Sequence, residues 1–304
     1  MQQSHLLESY ILQFILIGTL VGFISRWWLL RGDIRQYPTF PNGYLIHLTT
    51  GFIAAAMGSV AYPALLGKNY VAVTFLALAI QQFRDIRKME KDTLQSLERE
   101  NYAPRGDSYI DGIAKTFEAR NYIVMIVSLT TTLSAFIIRN FTKNNIIIFP
   151  LSTLIGFIIV SLLKQYTKGH TLKDIVTVEE APLEFKDGSN LYVGDIYVMN
   201  IGLSATRKRI LKNGLGVILR PIKNDDTEKV ILNQDGQRKA IVHECSRLLG
   251  LERYIATRRN FDTGEVALVI VPIVKDVSRL KEIILNVPIL EMNKKSNNDK
   301  ENNR

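Results

Sequence analysis

Residues 10–25 read YILQFILIGTLVGFIS, and the chain then closes on Arg26-Trp27-Trp28. The run holds no charged side chain, and a helix built from it, at about 1.5 Å per residue, covers most of the roughly 30 Å of hydrocarbon in a bilayer. Tyr10 at one end and the Trp pair at the other are amphipathic residues of the kind that settle at the two interfaces. Before the run, MQQSHLLES has no Lys or Arg, and no A-x-A-like site follows. The segment is therefore expected to stay as an anchor and not to be cleaved as a signal peptide.

Further apolar runs follow at 44–66, 122–138 and 146–163, each long enough to cross a bilayer. In the second, GFIAAAMGS sets Gly51 against Ala55 and Ala54 against Gly58 at four-residue spacing. Small residues so placed let helix backbones approach closely in lipid, so close helix packing is expected. His47 lies in this run, where an ionisable residue usually faces the bundle interior. The run at 70–83 is shorter, about 21 Å of helix, and could span only a thinned bilayer. The fold expected is an all-α membrane bundle of five, or four, transmembrane helices followed by a small α+β domain on the cytoplasmic side.

Charge orients this arrangement. With five spans, one side carries Arg26, Arg31, Arg35, the basic residues of 84–121 and the C-terminal domain, while the other carries Lys68, Arg139 and Lys143. Basic loops stay in the cytoplasm, so the N-terminus is expected outside and the domain inside; with four spans only the N-terminus and the 31–43 loop change sides. The net charge of +9 is spread along the chain with no concentrated basic excess, which argues against nucleic-acid binding. A single cysteine, Cys245, rules out an internal disulfide and Cys-based zinc frameworks. The domains expected are 1–83, a first transmembrane group; 84–121, a cytoplasmic helical stalk and loop; 122–163, a transmembrane hairpin; 164–292, the α+β domain; and 293–304, a polar tail with nothing to bury.

Between stalk and hairpin lies ENYAPRGDSYIDGIAKTFEARNY. Pro104 and Gly106 break the stalk, and Ser108 with Asp111 three residues on gives a capping-box-like S-x-x-D for a short helix. Gly112 is expected to admit a close backbone approach. The hexapeptide Tyr109-Ile110-Asp111-Gly112-Ile113-Ala114 resembles the signature of the YIEGIA family, membrane proteins of endospore-forming bacteria, with Asp111 where that signature has Glu. The likeness extends to the layout, with Arg31-Gly32-Asp33-Ile34-Arg35-Gln36-Tyr37-Pro38 after the first run and a soluble C-terminal part. It implies a role in sporulation and brings no settled activity.

From Ile175 onward, strands are expected near 175–179, 196–201, 217–222, 253–260 and 266–273, with helices near 204–212, 238–249 and 277–285. Asp262-Thr263-Gly264 matches the aspartic-protease triplet, but between two alternating runs it reads as a hairpin turn. Gly214-x-Gly216 lacks the third glycine and helix start of a dinucleotide fingerprint. The four histidines are scattered, so neither a metal nor a cofactor is expected.

Three functions stay open. A sporulation-associated regulator or scaffold would use its domain to bind a protein partner or small effector, with Arg31, Arg35, Arg207, Lys208 and Arg209 as contacts to a partner or to lipid. A membrane-associated aspartyl protease would need Asp33 and Asp262 to share a proton. A transporter would need charge in its spans, where little is found. Partners expected are the bilayer, a protein bound by the domain and, as an open option, a second copy of the chain.

Overall fold

The computed structural model describes residues 2–33, 41–98, 102–167, 169–223 and 226–290. Five helices come first: α1 (Gln2–Asp33), α2 (Pro41–Leu66), α3 (Tyr70–Glu98), α4 (Asp107–Arg139) and α5 (Asn145–Tyr166). The chain divides into two compact units, Met1–Asp92 with Ile113–Lys168, and Thr93–Gly112 with Gly169–Arg304. Residues 93–112, with the first four residues of the hexapeptide, thus group with the C-terminal half, and Ile113 and Ala114 with the helical unit.

The first unit is helical. Val21, Ala54, Ala55, Val124, Val127 and Val160 form its core, drawn from α1, α2, α4 and α5. Small residues bring the helices together. A Cβ on Gly58 would lie 2.2 Å from the carbonyl oxygen of Met125, and one on Gly22 would lie 2.9 Å from Cβ of Ala55. Buried hydroxyls bridge the contacts, with Thr19 Oγ1 and Ser59 Oγ 2.8 Å apart and Ser128 Oγ donating to the Gly18 carbonyl at 2.9 Å. Such bonds, like close backbone packing, hold helices together where water supplies no hydrophobic drive.

Among the described residues, four helical segments are long and apolar enough to cross a membrane by length and composition: Ser9–Leu30, Tyr44–Leu66, Asp107–Arg139 and Asn145–Tyr166. The doubtful run at 70–83 is helical but is not among them. It forms the start of α3, and Arg84, Asp85 and Arg87 arrive before the apolar stretch is long enough. Farther along α3, Phe83 and Leu94 are buried, while Leu97 is exposed. Aromatic residues at the expected interface positions meet cations: Arg139 lies 3.8 Å from the Tyr10 ring centroid and Lys164 4.6 Å from that of Trp28.

The second unit is a mixed α/β region with two sheets. After a 3-10 turn at Leu172–Asp174 come β1 (Val176–Glu180), β2 (Leu183–Lys186), β3 (Asn190–Val193) and β4 (Ile196–Asn200). Then follow α6 (Ser204–Asn213), β5 (Leu215–Pro221), α7 (Asp226–Asn233), α8 (Asp235–Leu249), β6 (Leu251–Arg259), β7 (Val266–Pro272) and α9 (Val277–Leu285). One antiparallel sheet runs β1-β5-β7-β6 and the other is the meander β2-β3-β4. Every residue of β7 is buried, as a central strand covered on both faces requires. Ala267, Val269 and Val271 on one face pack with Leu191, Val193 and Val198 of the second sheet and with Ile210 of α6. The reading of 175–273 missed β2, β3 and α7, which are short, and placed the remaining elements within a few residues.

Candidate functional site

The hexapeptide does not lie on a short separate helix. It opens α4, which continues without a break to Arg139. The helix starts at Asp107, one residue before the anticipated cap at Ser108, because its entry is organised from outside the helix. The Glu98 carboxylate accepts the amides of Arg105 at 2.6 Å and Gly106 at 3.1 Å, and Gln95 Nε2 donates to Asp107 Oδ1 at 2.9 Å. Gly106 turns the chain at φ +83, a left-handed conformation that suits glycine. Ser108 packs at the start of α8 instead, where a Cβ on Gly236 would meet its Oγ at 2.9 Å.

Tyr109 is the centre of the site. Its ring is 4 % exposed and its hydroxyl donates to Glu244 Oε1 of α8 at 2.8 Å. Arg247 Nη2 donates to the other carboxylate oxygen at 2.7 Å, so the charge of Glu244 is matched. Next to Glu244 in the chain, His243 Nδ1 lies 2.8 Å from the Ala103 carbonyl, and its ring meets Tyr109 edge-on at 6.4 Å. A carbonyl can only accept, so Nδ1 carries the proton and Nε2 is bare. Nε2 is buried with no hydrogen-bond partner among the described residues. Burial chiefly, then Arg105, hold the imidazole below its ordinary value against the opposing pull of the Ala103 bond, Glu244 and Glu98. Cys245 is fully buried, and burial with the nearby Glu244 raises its thiol far above the ordinary value, which makes it a packed core residue. Chemically the arrangement is a latch: a buried hydroxyl on a neutralised carboxylate, with a neutral imidazole pinning the preceding loop.

Of the other motif residues, Ile110, Ile113 and Ala114 are buried and Asp111 is half-buried. Among the described residues no atom lies within 4 Å of where a Cβ on Gly112 would sit, so the expected close approach is absent.

The remaining candidates scatter. Gly51 lies against the side chain of Arg26, Ala54 and Ala55 are fully buried, and Gly58 meets α4. Asp33 ends α1 and Arg31 precedes it, both with side chains outside the described residues, as is all of Arg35. Asp262 is exposed at the tip of the β6–β7 hairpin, as the turn reading expected. Arg207 Nη1 donates to the carbonyls of Ile201 and Gly202, Arg209 pairs with Glu252 at 3.6 Å, and Lys208 is exposed. Among the described residues no group of three or more His, Cys, Asp or Glu could hold a metal ion.

Sequence reasoning missed two features. Glu244 and His243 carried no visible link to a hexapeptide far upstream, and only their place on the buried stripe of α8 marked them. Arg26, read as interfacial, is 1 % exposed inside the first unit; its guanidinium sits 5.5 Å from the Phe117 ring, which His47 also meets at 4.9 Å.

Comparison with known proteins gives a concordant result. The YIEGIA protein family model matches residues 14–300. The uncharacterized protein YphB of Bacillus subtilis (strain 168) is 39% identical over 284 residues, which cover 91% of this chain and 92% of that protein. No solved structure matches.

Proposed function

Because the chain belongs to the YIEGIA family, we propose that it is a membrane-embedded regulator or scaffold of sporulation whose α/β unit binds a protein partner or small effector in the cytoplasm. The observation that carries this reading is α4. Its first turns, the family hexapeptide, are latched into the α/β unit by Tyr109 and Glu244, and the same helix continues as one of the four segments apolar enough to span. An occupant of the α/β unit that shifted α8 would act directly on that helix, which would make α4 the two-state element a regulatory reading requires.

Four spans set the basic residues of 67–121, Lys68 now among them, and the α/β unit on one side, and Arg31, Arg35, Arg139 and Lys143 on the other. The larger basic share marks the first side as cytoplasmic. With an even number of spans the N-terminus joins it there, where five spans would have put it outside.

The reading is tested in an endospore-forming host whose own copy is removed and replaced by the wild-type chain, Tyr109→Phe or Glu244→Gln at matched levels. Heat-resistant spore counts should fall when the chain is absent and fall in part with either variant. Full spore yield without the chain would end the sporulation role. Full yield from both variants would end the latch as its working part.

A further inference from the structure

The end of the second unit formed by the β6–β7 hairpin gathers charge of one sign around a bare aromatic ring. Phe261 at the hairpin tip is 75% exposed. The Arg259 guanidinium stands 4.2 Å from its ring centroid. The corner between α7 and α8 is fastened to this tip, since Asn233 Nδ2 donates to the Gly264 carbonyl at 2.8 Å and the Lys229 side chain runs against Gly264. On α8, Asp235 pairs with Lys239 at 2.7 Å and with Arg238 at 3.2 Å. The Nε of Arg238 is buried and has no hydrogen-bond partner among the described residues. Burial, opposed by Asp235, and then the charges of Arg259 and Arg258 hold the Arg238 guanidinium below its ordinary value. Asp235 pairs with Arg238 and Lys239, and Lys229, Arg258 and Arg259 add three further cations at this corner.

An exposed aromatic flanked by guanidinium groups matches the boundary between headgroups and acyl chains, where the ring enters the interface and the cations meet phosphates. The hairpin is covalently joined to helices that the preceding reading embeds in a bilayer, so a lipid surface is present at high effective concentration. We propose that this corner is a docking surface for anionic phospholipid headgroups, with Phe261 as the inserted side chain and Arg238, Arg258 and Arg259 as the phosphate contacts. The inference rests on the membrane reading, and it adds a second, reversible attachment of the α/β unit to the bilayer.

The test uses the full chain carrying Phe261→Cys labelled with an environment-sensitive fluorophore. Cys245 is fully buried and stays unlabelled in the folded protein. The chain is reconstituted into phosphatidylcholine vesicles with or without phosphatidylglycerol. The expected result is a blue-shifted, brighter emission in the anionic vesicles only, weakened by salt and lost on adding Arg258→Glu and Arg259→Glu. Circular dichroism of the variant verifies its fold; if the charge reversals disturb it, Arg258→Gln and Arg259→Gln replace them, with a partial loss expected. Equal emission in both vesicle types overturns the proposal. A response to inorganic phosphate in phosphatidylcholine vesicles equal to that in anionic lipid overturns it in favour of a soluble phosphate ligand. Failure of the chain to float with either vesicle overturns the membrane reading and this inference with it.

Discussion

Tyr109 joins the family signature to the rest of the protein through one hydroxyl, which makes it the place where a small substitution is most informative. Removing that hydroxyl leaves Glu244 with Arg247 as its remaining partner, so the loss is that of one hydrogen bond to a charged acceptor. Tyr109→Phe should lower the stability of the detergent-solubilised chain by about 1–3 kcal/mol, measured by denaturant unfolding of the α/β unit. A change near zero would mean the bond is not closed in solution. His243 makes a separate prediction. Its imidazole is held below the ordinary value, so the unfolded chain binds more protons between the two values and stability rises with pH there. Stability should be full above about pH 6.5, the ordinary histidine value, and decline as pH falls through and below it. Protonating Nε2 would also bury an N–H with no acceptor. Melting temperatures at pH 7.5 and 5.5 should differ, and His243→Gln should shrink the difference. An unchanged difference would assign the pH dependence to other groups.

At the scale of elements, the contrast between two glycines separates packing from signature. Gly58 faces the backbone of α4, which cannot step aside, and a methyl group there would overlap Met125 O. Gly58→Ala should therefore destabilise the helical unit by about 1–3 kcal/mol through overpacking. Gly112→Ala meets open space within a helix and should be neutral or stabilising by up to about 1 kcal/mol. Thermal melts of both variants in the same detergent decide the matter, and equal losses would contradict the packing described. The sequence made the elements largely visible. Charge-free runs and small-residue spacing marked α1, α2 and α5, and the turn residues Asp262-Thr263-Gly264 marked the β6–β7 hairpin. The meander β2–β3 escaped because Leu183–Lys186 and Asn190–Val193 are too short for periodicity, although the Asp187-Gly188 turn between them was plain. The unbroken α4 escaped because Lys115, Glu118 and Arg120 interrupt its hydropathy, which composition reads as a loop while backbone hydrogen bonding ignores it.

For the whole molecule, the proposed four-span reading would put both flanks of the helical unit in one compartment. Protease added to right-side-out cells should leave the α/β unit intact, whereas inverted vesicles should lose it and leave shortened helical fragments. Digestion of the α/β unit from the outside would reverse the orientation. What the sequence could not reveal at this scale is the grouping of residues 93–112 with the C-terminal half. That grouping depends on Glu98, Tyr109, His243 and Glu244 meeting, and no local pattern announces contacts between segments so far apart in the chain.

The latch also has a timetable. Tyr109 and Glu244 are separated by 135 positions, and a ribosome adding about 5–20 residues per second exposes the second roughly seven seconds to half a minute after the first. Throughout that interval the signature helix has been made but its carboxylate partner has not. On the proposed membrane reading, the apolar segments would enter the translocation machinery with the hexapeptide still unclasped, and closing the clasp would mark that synthesis has run through α8.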